Sequence, residues 1–129
     1  PWGSRMADRA RRGALNWRAG ALAEEAVARA YADRGATIAA RRLRTPHGEI
    51  DLLVREGARV VAVEVKRART LDEAAHRLTR RQMDRLLAAL AHACEAEPGG
   101  SLTEQRLDLA LVDAQGRVRV VENAFGVDW

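Results

Sequence analysis

The sequence has little cysteine, almost no lysine and no long apolar run. The single cysteine, Cys94, can form neither an internal disulfide nor a cysteine metal cage, which excludes a stapled secreted scaffold and a zinc finger. A reducing, cytoplasmic compartment is the expectation. No apolar stretch approaches the roughly 20 residues needed to cross a bilayer, and no signal peptide opens the chain, so a membrane protein is not expected. There is no internal repeat and no low-complexity linker. What remains is a chain of 129 residues, 47% hydrophobic and 31% charged, which suits one folded domain with a core of its own.

The charge is polarised. Of 22 basic residues one is lysine, Lys66, and the others are arginine, for a net +4. Residues 1–48 carry a net +6 and residues 65–85 a net +4, whereas 49–64 carry −2 and 86–129 carry −4. Clustered arginine suits phosphate, which a guanidinium grips with two parallel N–H donors. The alternative is a solvated surface in a chain rich in Arg and Ala.

Pro1-Trp2-Gly3-Ser4 ahead of Arg5-Met6 reads as an expression remnant, and residues up to 15 as a mobile basic arm with Arg9, Arg11 and Arg12. Residues 16–129 then form the single domain. Apolar spacing of three and four residues predicts a helix over 16–34, with Gly35 as its stop. Strands are predicted over 36–44, 49–56 and 59–66, a second helix over 79–95, and strands over 106–112 and 117–122. Met83, Leu86, Leu87, Leu90 and Cys94 share one face of the second helix. The order α-β-β-β-α-β-β defines one layered α/β domain.

The chemistry concentrates in the second and third strands. If Gly57-Ala58 is a two-residue loop closed by Glu56 and Arg59, Asp51 falls opposite Glu64 and Glu49 opposite Lys66. Alternation puts those four side chains on one face, with Ile50, Leu52, Val54, Val61, Val63 and Val65 on the other. Like charges directly opposite destabilise a sheet, so something must compensate. A divalent cation does so, and the Val65 carbonyl can add an oxygen. Lys66 points to the same side and can reach a water or a phosphate oxygen, an assembly that can orient a hydrolytic water. The bland alternative is a charged solvent-facing ribbon with Lys66 as cross-strand neutralisation. Against it stand the apolar remainder of the strand and the placing of the only lysine here.

Asp51 followed after a hairpin by Glu64-Val65-Lys66 resembles the PD-(D/E)xK nuclease signature. More narrowly, Gly48-Glu49-Ile50-Asp51-Leu52-Leu53, Val63-Glu64-Val65-Lys66, the preceding Ala23-Glu24 helix and the Leu78-Thr79-Arg80-Arg81-Gln82 helix start resemble the YraN-like family of bacterial proteins. The likeness spans about residues 16–125. It implies a restriction-endonuclease-like αβββαβ core, with a mixed central sheet flanked by helices. It is also similar to archaeal Holliday-junction resolvases, which add a helix glutamate to the same Asp and Glu-x-Lys. The resemblance implies Asp51 and Glu64 as ligands of Mg²⁺ or Mn²⁺, Lys66 as the cation on water or phosphate, and Glu24 as a further ligand, direct or through water. Spacing alone leaves Glu24 or Glu25 open; Glu24 shares a face with Val27, Ala28 and Tyr31. Two departures from the family pattern bear on phosphate grip: Ala68 stands between Arg67 and Arg69, and Gln82 stands where lysine is common.

Further contacts to nucleic acid are expected from Arg67, Arg69, Arg77, Arg80, Arg81 and Arg85, the last four as a basic stripe at the second helix start. A solvated helix face is the alternative. Gln82 is read either as a phosphate or water ligand or as surface. His47 is read as a proton carrier or a surface-loop residue. Trp17 stacks on a base or packs in the core, and the tail Ala124–Trp129 packs on the domain or a second subunit. His76 and His92 lack partners at ligand spacing, and Cys94 reads as core. The resulting expectation is a metal-dependent endonuclease on DNA, with branched or flapped DNA as substrate, RNA left open and a homodimer by analogy. The rivals are a binding module of the same fold that does not cut, and a partner-recruiting structural protein.

Overall fold

β-Branched residues at alternate positions favour a pleated, half-buried surface, and the stretch from Ile50 to Val65 is rich in them. In the computed structural model, which describes residues 2–124, it forms two antiparallel strands, β2 (Gly48–Glu56) and β3 (Arg59–Arg67). Gly57 turns between them with φ 63°, and pairing runs from Glu56↔Arg59 to Leu52↔Val63, the register expected from the loop. Strand β1 (Thr37–Thr45) pairs antiparallel with β2. Strand β4 (Gln105–Val112) runs parallel to β3, and β5 (Val118–Val121) antiparallel to β4. The sheet order is β1-β2-β3-β4-β5.

Parallel β3 and β4 need a crossover, and helices supply it. Helix α2 (Leu71–Arg77) was not expected from the sequence; α3 (Arg80–Cys94) matches the second predicted helix. A capping box starts α3: Thr79 Oγ1 accepts from the Gln82 N–H at 3.2 Å, and Gln82 Oε1 from the Thr79 N–H at 3.0 Å. Met83, Leu86, Ala89, Leu90 and Cys94 then bury against Ile50, Leu53, Val60 and Ala62 on one face of the sheet.

The other face is covered by α1 (Trp2–Asp33). Ala23, Val27, Ala28 and Tyr31, at helical spacing, pack on Leu52, Val54, Val61 and Val63. Each large aliphatic side chain so buried contributes about 1.5–3 kcal/mol. The helix predicted over 16–34 therefore begins at Trp2, and residues expected to form an arm continue it, with side chains 7–14 exposed. The lack of an apolar period over 7–14 reflects the absence of a core to face. The αβββαβ core and mixed sheet flanked by helices are thus present.

One facing is corrected. Ile50 does not join Leu52 and Val54 but lies with Leu53 on the α3 side. Strict alternation breaks at the intervening Asp51, whose side chain bonds to β3 backbone. On β4 beside Val63, fully buried Asp108 accepts from Tyr31 Oη at 2.6 Å, from Arg106 Nε at 2.7 Å and from the Asn123 N–H at 3.1 Å. This network ties α1 to β4. The ring and indole contacts expected of Trp17 and residues 125–129 lie outside the described side chains. Among the described residues no helix is long and apolar enough to cross a membrane.

Candidate metal centre

The β2–β3 ladder stops at Leu52↔Val63, one residue before the expected Asp51–Glu64 pair. There the strands part. Asp51 Oδ2 accepts the Val65 N–H at 2.9 Å, a side chain replacing a ladder carbonyl. Asp51 and Glu64 remain near enough that the charge of Asp51 acts on the Glu64 carboxyl. Lys66 Nζ lies 3.5 Å from Glu64 Oε1, with the side chains 20% and 17% exposed. The sequence thus places Asp51, Glu64 and Lys66 together, by a splayed end of the hairpin in place of a flat cross-strand pair.

The charge is undercompensated. Burial pushes the Glu64 carboxyl up to about 7, the negative charge of Asp51 pushes the same way, and Lys66 opposes both. Burial also raises Asp51, against the Val65 N–H, and the Glu24 charge adds to the rise. Two carboxyls that resist joint ionisation mark a place where added positive charge is favourable. The donors are all oxygens, including the neighbouring Val65 carbonyl, which fits a hard divalent cation.

Glu24 projects from α1 toward this end of the sheet, but its Oε2 accepts Arg42 Nε at 3.0 Å. Among the described residues no group of three His, Cys, Asp or Glu side chains is set to hold a metal ion. Glu24 therefore borders the pair without closing a triad. Glu25 bonds instead to Arg41, at 2.6 Å. Arg42 was not singled out from the sequence. It lies in β1 between Arg41↔Leu52 and Leu43↔Ile50, hence across from Asp51, and its backbone is left-handed at φ 49°. Such a conformation costs a non-glycine residue on the order of 1–3 kcal/mol. The available signal was Ala39-Ala40-Arg41-Arg42, paired apolar then paired basic residues that break strand alternation.

Two hollows flank the pair. On the α3 side, about 140 Å³ is lined by Glu49, Glu64, Gln82, Arg85 and neighbours. Gly48, at φ 145°, has a backbone that favours glycine, and a Cβ there would be in ordinary contact with the Arg85 stem, 3.9 Å from Cδ. On the α1 side, about 150 Å³ is lined by Glu24, Val65, Lys66, Arg67 and Arg77 among others.

The predicted phosphate contacts divide by partner. Arg67, Arg81 and Arg85 have no side-chain hydrogen bond or ion pair among the described residues. Arg69 and Arg77 both pair with Glu73, at 3.4 and 3.3 Å, and Arg80 pairs with Asp84 at 3.3 Å. Arg77 belongs to α2 and donates to the Arg67 carbonyl at 2.6 Å, so it is not part of the α3 stripe. Gln82 uses its side-chain oxygen in the cap and still lines the α3-side hollow. His47 sits apart from the carboxylates, beside Arg81 and Arg85, with its ring 6.0 Å from that of His92.

Fold and hairpin together define a restriction-endonuclease-like α/β domain. The chain belongs to the uncharacterised protein family UPF0102, the YraN-like group, whose model matches residues 23–112. A UPF0102 protein of Cereibacter sphaeroides is 53% identical over 113 residues, covering 88% of this chain and 97% of its own. One from Ruegeria pomeroyi is 51% identical over 117 residues, covering 91% and 95%. Another, from Roseobacter denitrificans, is 42% identical over 113 residues, covering 88% of each.

Proposed function

We propose that this chain is a divalent-metal-dependent phosphodiester hydrolase, an endonuclease acting on DNA, with branched or flapped DNA as its substrate. The observation that carries this reading is the pair of part-buried carboxyls, Asp51 and Glu64, beside the only lysine, at the point where two central strands separate. Asp51, Glu64 and the Val65 carbonyl would hold Mg²⁺ or Mn²⁺, with Glu24 joining directly or through water. When bound, such an ion neutralises charge developing on a phosphodiester and acidifies a coordinated water.

The chain's own groups do the rest. The Lys66 ammonium, held at Glu64, donates to the attacking water or to a phosphoryl oxygen and so fixes the line of attack. Arg67 on one flank and Arg81 and Arg85 on the other lie where they can follow phosphates. Binding by such contacts carries steep salt dependence and little sequence preference.

A second reading is favoured by one observation. Glu24 is already answered by Arg42, as suits a nucleic-acid-binding module that does not cut. Cleavage of end-labelled single-stranded, duplex, flapped and four-way-junction DNA, and of RNA, separates the two. Under the nuclease reading, cutting occurs with Mg²⁺ or Mn²⁺, stops in EDTA and falls at least about 100-fold in Lys66→Ala. Tight binding without cutting under either metal leaves the binding module.

A further inference from the structure

Beyond the carboxylate pair, a groove of about 640 Å³ opens outside the carboxyl ends of the parallel strands β3 and β4, between α1 and the β4–β5 turn. Ligands of α/β sheets bind in crevices at such strand ends. The groove adjoins the candidate centre, because Ala23 and Arg67 line both it and the hollow containing Lys66 and Glu24. Its floor and walls are mainly apolar, from Ala19, Leu22, Ala23, Ala68, Val112 and Ala114. Leu22 is 71% exposed, an unusual place for a large aliphatic side chain on a helix otherwise well buried nearby.

The charges that face the groove are mostly spent within the fold. Asp113 accepts the Gln115 and Arg117 N–H groups, each at 2.9 Å, and Arg117 Nε at 2.8 Å. Glu73 is paired with Arg69 and Arg77. Arg67 is left as the lining cation with no side-chain partner among the described residues, and it is the residue next to Lys66. A strand whose scissile phosphate lies at Lys66 therefore meets Arg67 at the following phosphate and enters an apolar groove. Duplex bases are stacked on one another and offer only edges and phosphates to a protein. Unpaired bases expose their faces, which an apolar wall can cover.

We infer that this groove receives the unpaired nucleotides of a DNA strand that continues from the carboxylate centre. The inference rests on the nuclease reading for the place of the scissile phosphate, and it makes single-stranded flanks the feature recognised.

The test is fluorescence anisotropy in EDTA, with labelled DNA of one duplex length that is blunt or carries a 5′ or 3′ unpaired tail. Wild type is compared with Leu22→Gln and Ala114→Gln, neutral changes on opposite walls at exposed positions. Wild type should bind one tailed DNA about 10-fold more tightly than blunt, a difference of about 1.4 kcal/mol. Both variants should lose most of that preference while blunt-duplex affinity stays within about 2-fold. Equal affinity of wild type for blunt and tailed DNA overturns the inference, as does a preference intact in both variants. So does a dimer in wild type that Leu22→Gln converts to monomer with tailed and blunt binding weakened alike, because a second copy then covers the groove. A protein that prefers tailed DNA through Leu22 but never cuts keeps the groove and loses the nuclease reading. One that cuts blunt and tailed DNA equally keeps the nuclease and loses the groove.

Discussion

Two groups of buried acid sit on one sheet and are treated in opposite ways. Asp108, midway along β4, is fully buried and fully answered: Tyr31 and Asn123 donate to it, and Arg106, 11% exposed, supplies its countercharge. Burial and the Asp108 charge hold the Tyr31 hydroxyl well above the usual range, so it stays a donor. Asp51 and Glu64 are less buried, yet only Lys66 and one backbone N–H answer two carboxyls. The first set is a closed account of charge that anchors α1 to β4. The second has positive charge missing, and such an arrangement is tolerated where something else is to bind.

The largest effect that can break this comparison comes from removing each acid. Asp108→Ala strands the buried Tyr31 hydroxyl and leaves Arg106 with Glu56 as its remaining close carboxylate, and should cost about 3 kcal/mol in urea unfolding. Asp51→Asn removes a repelled charge, and in EDTA should leave stability within about 1 kcal/mol of wild type. Equal losses in the two variants would erase the distinction.

A pH series sharpens it. The folded Glu64 carboxyl titrates at about 7, above its ordinary 4.5. A raised carboxyl pKa favours folding with the proton on, so this contribution is complete below about pH 4.5 and is lost as pH rises through 7. In EDTA the wild type should lose stability on the order of 2 kcal/mol between pH 5 and 8, and Glu64→Gln should show little of that slope. Mg²⁺ or Mn²⁺ should restore wild-type melting temperature most at the alkaline end, where both carboxylates are ionised, and should do little for Asp51→Asn. A wild type with no slope, or equal metal shifts in both proteins, counts against an undercompensated pair.

The smallest effect is expected at Arg42. Arg42→Gly relieves the left-handed backbone but forfeits an exposed ion pair, so stability should stay within about 1 kcal/mol of wild type by thermal melting. If Arg42 serves only to position Glu24, cleavage should change in kcat more than in KM. Unchanged kinetics would make the pair an ordinary surface contact.

Much of this was legible in the sequence because local rules set it. The β2–β3 register follows from a two-residue loop with Gly57 at positive φ, and it brings Asp51, Glu64 and Lys66 to the same end of the hairpin, where the ladder stops after Leu52↔Val63. The α3 face was read from Met83 to Cys94 because its apolar period is regular. Three features were not legible. Helix α2 is seven residues long, too short to show a period. The helical state of residues 7–14, all exposed, has no core face to reveal it. The turn of Asp51 toward the Val65 N–H, which sends Ile50 to the α3 side, depends on where two strands separate, and no residue type announces that.

By itself the sequence determined the layered α/β class, the hairpin register and which carboxylates and lysine meet, because period, turn chemistry and cross-strand spacing act over a few residues. Only the tertiary structure decided which arginines remain unpaired among the described residues, that Arg42 pairs with Glu24, and that a groove opens beside Lys66. Those depend on contacts such as Glu24 with Arg42 and Glu73 with Arg69 and Arg77, fixed by how helices seat on the sheet. Long flexible side chains choose partners by final distance, and that distance exists only once the layers have packed.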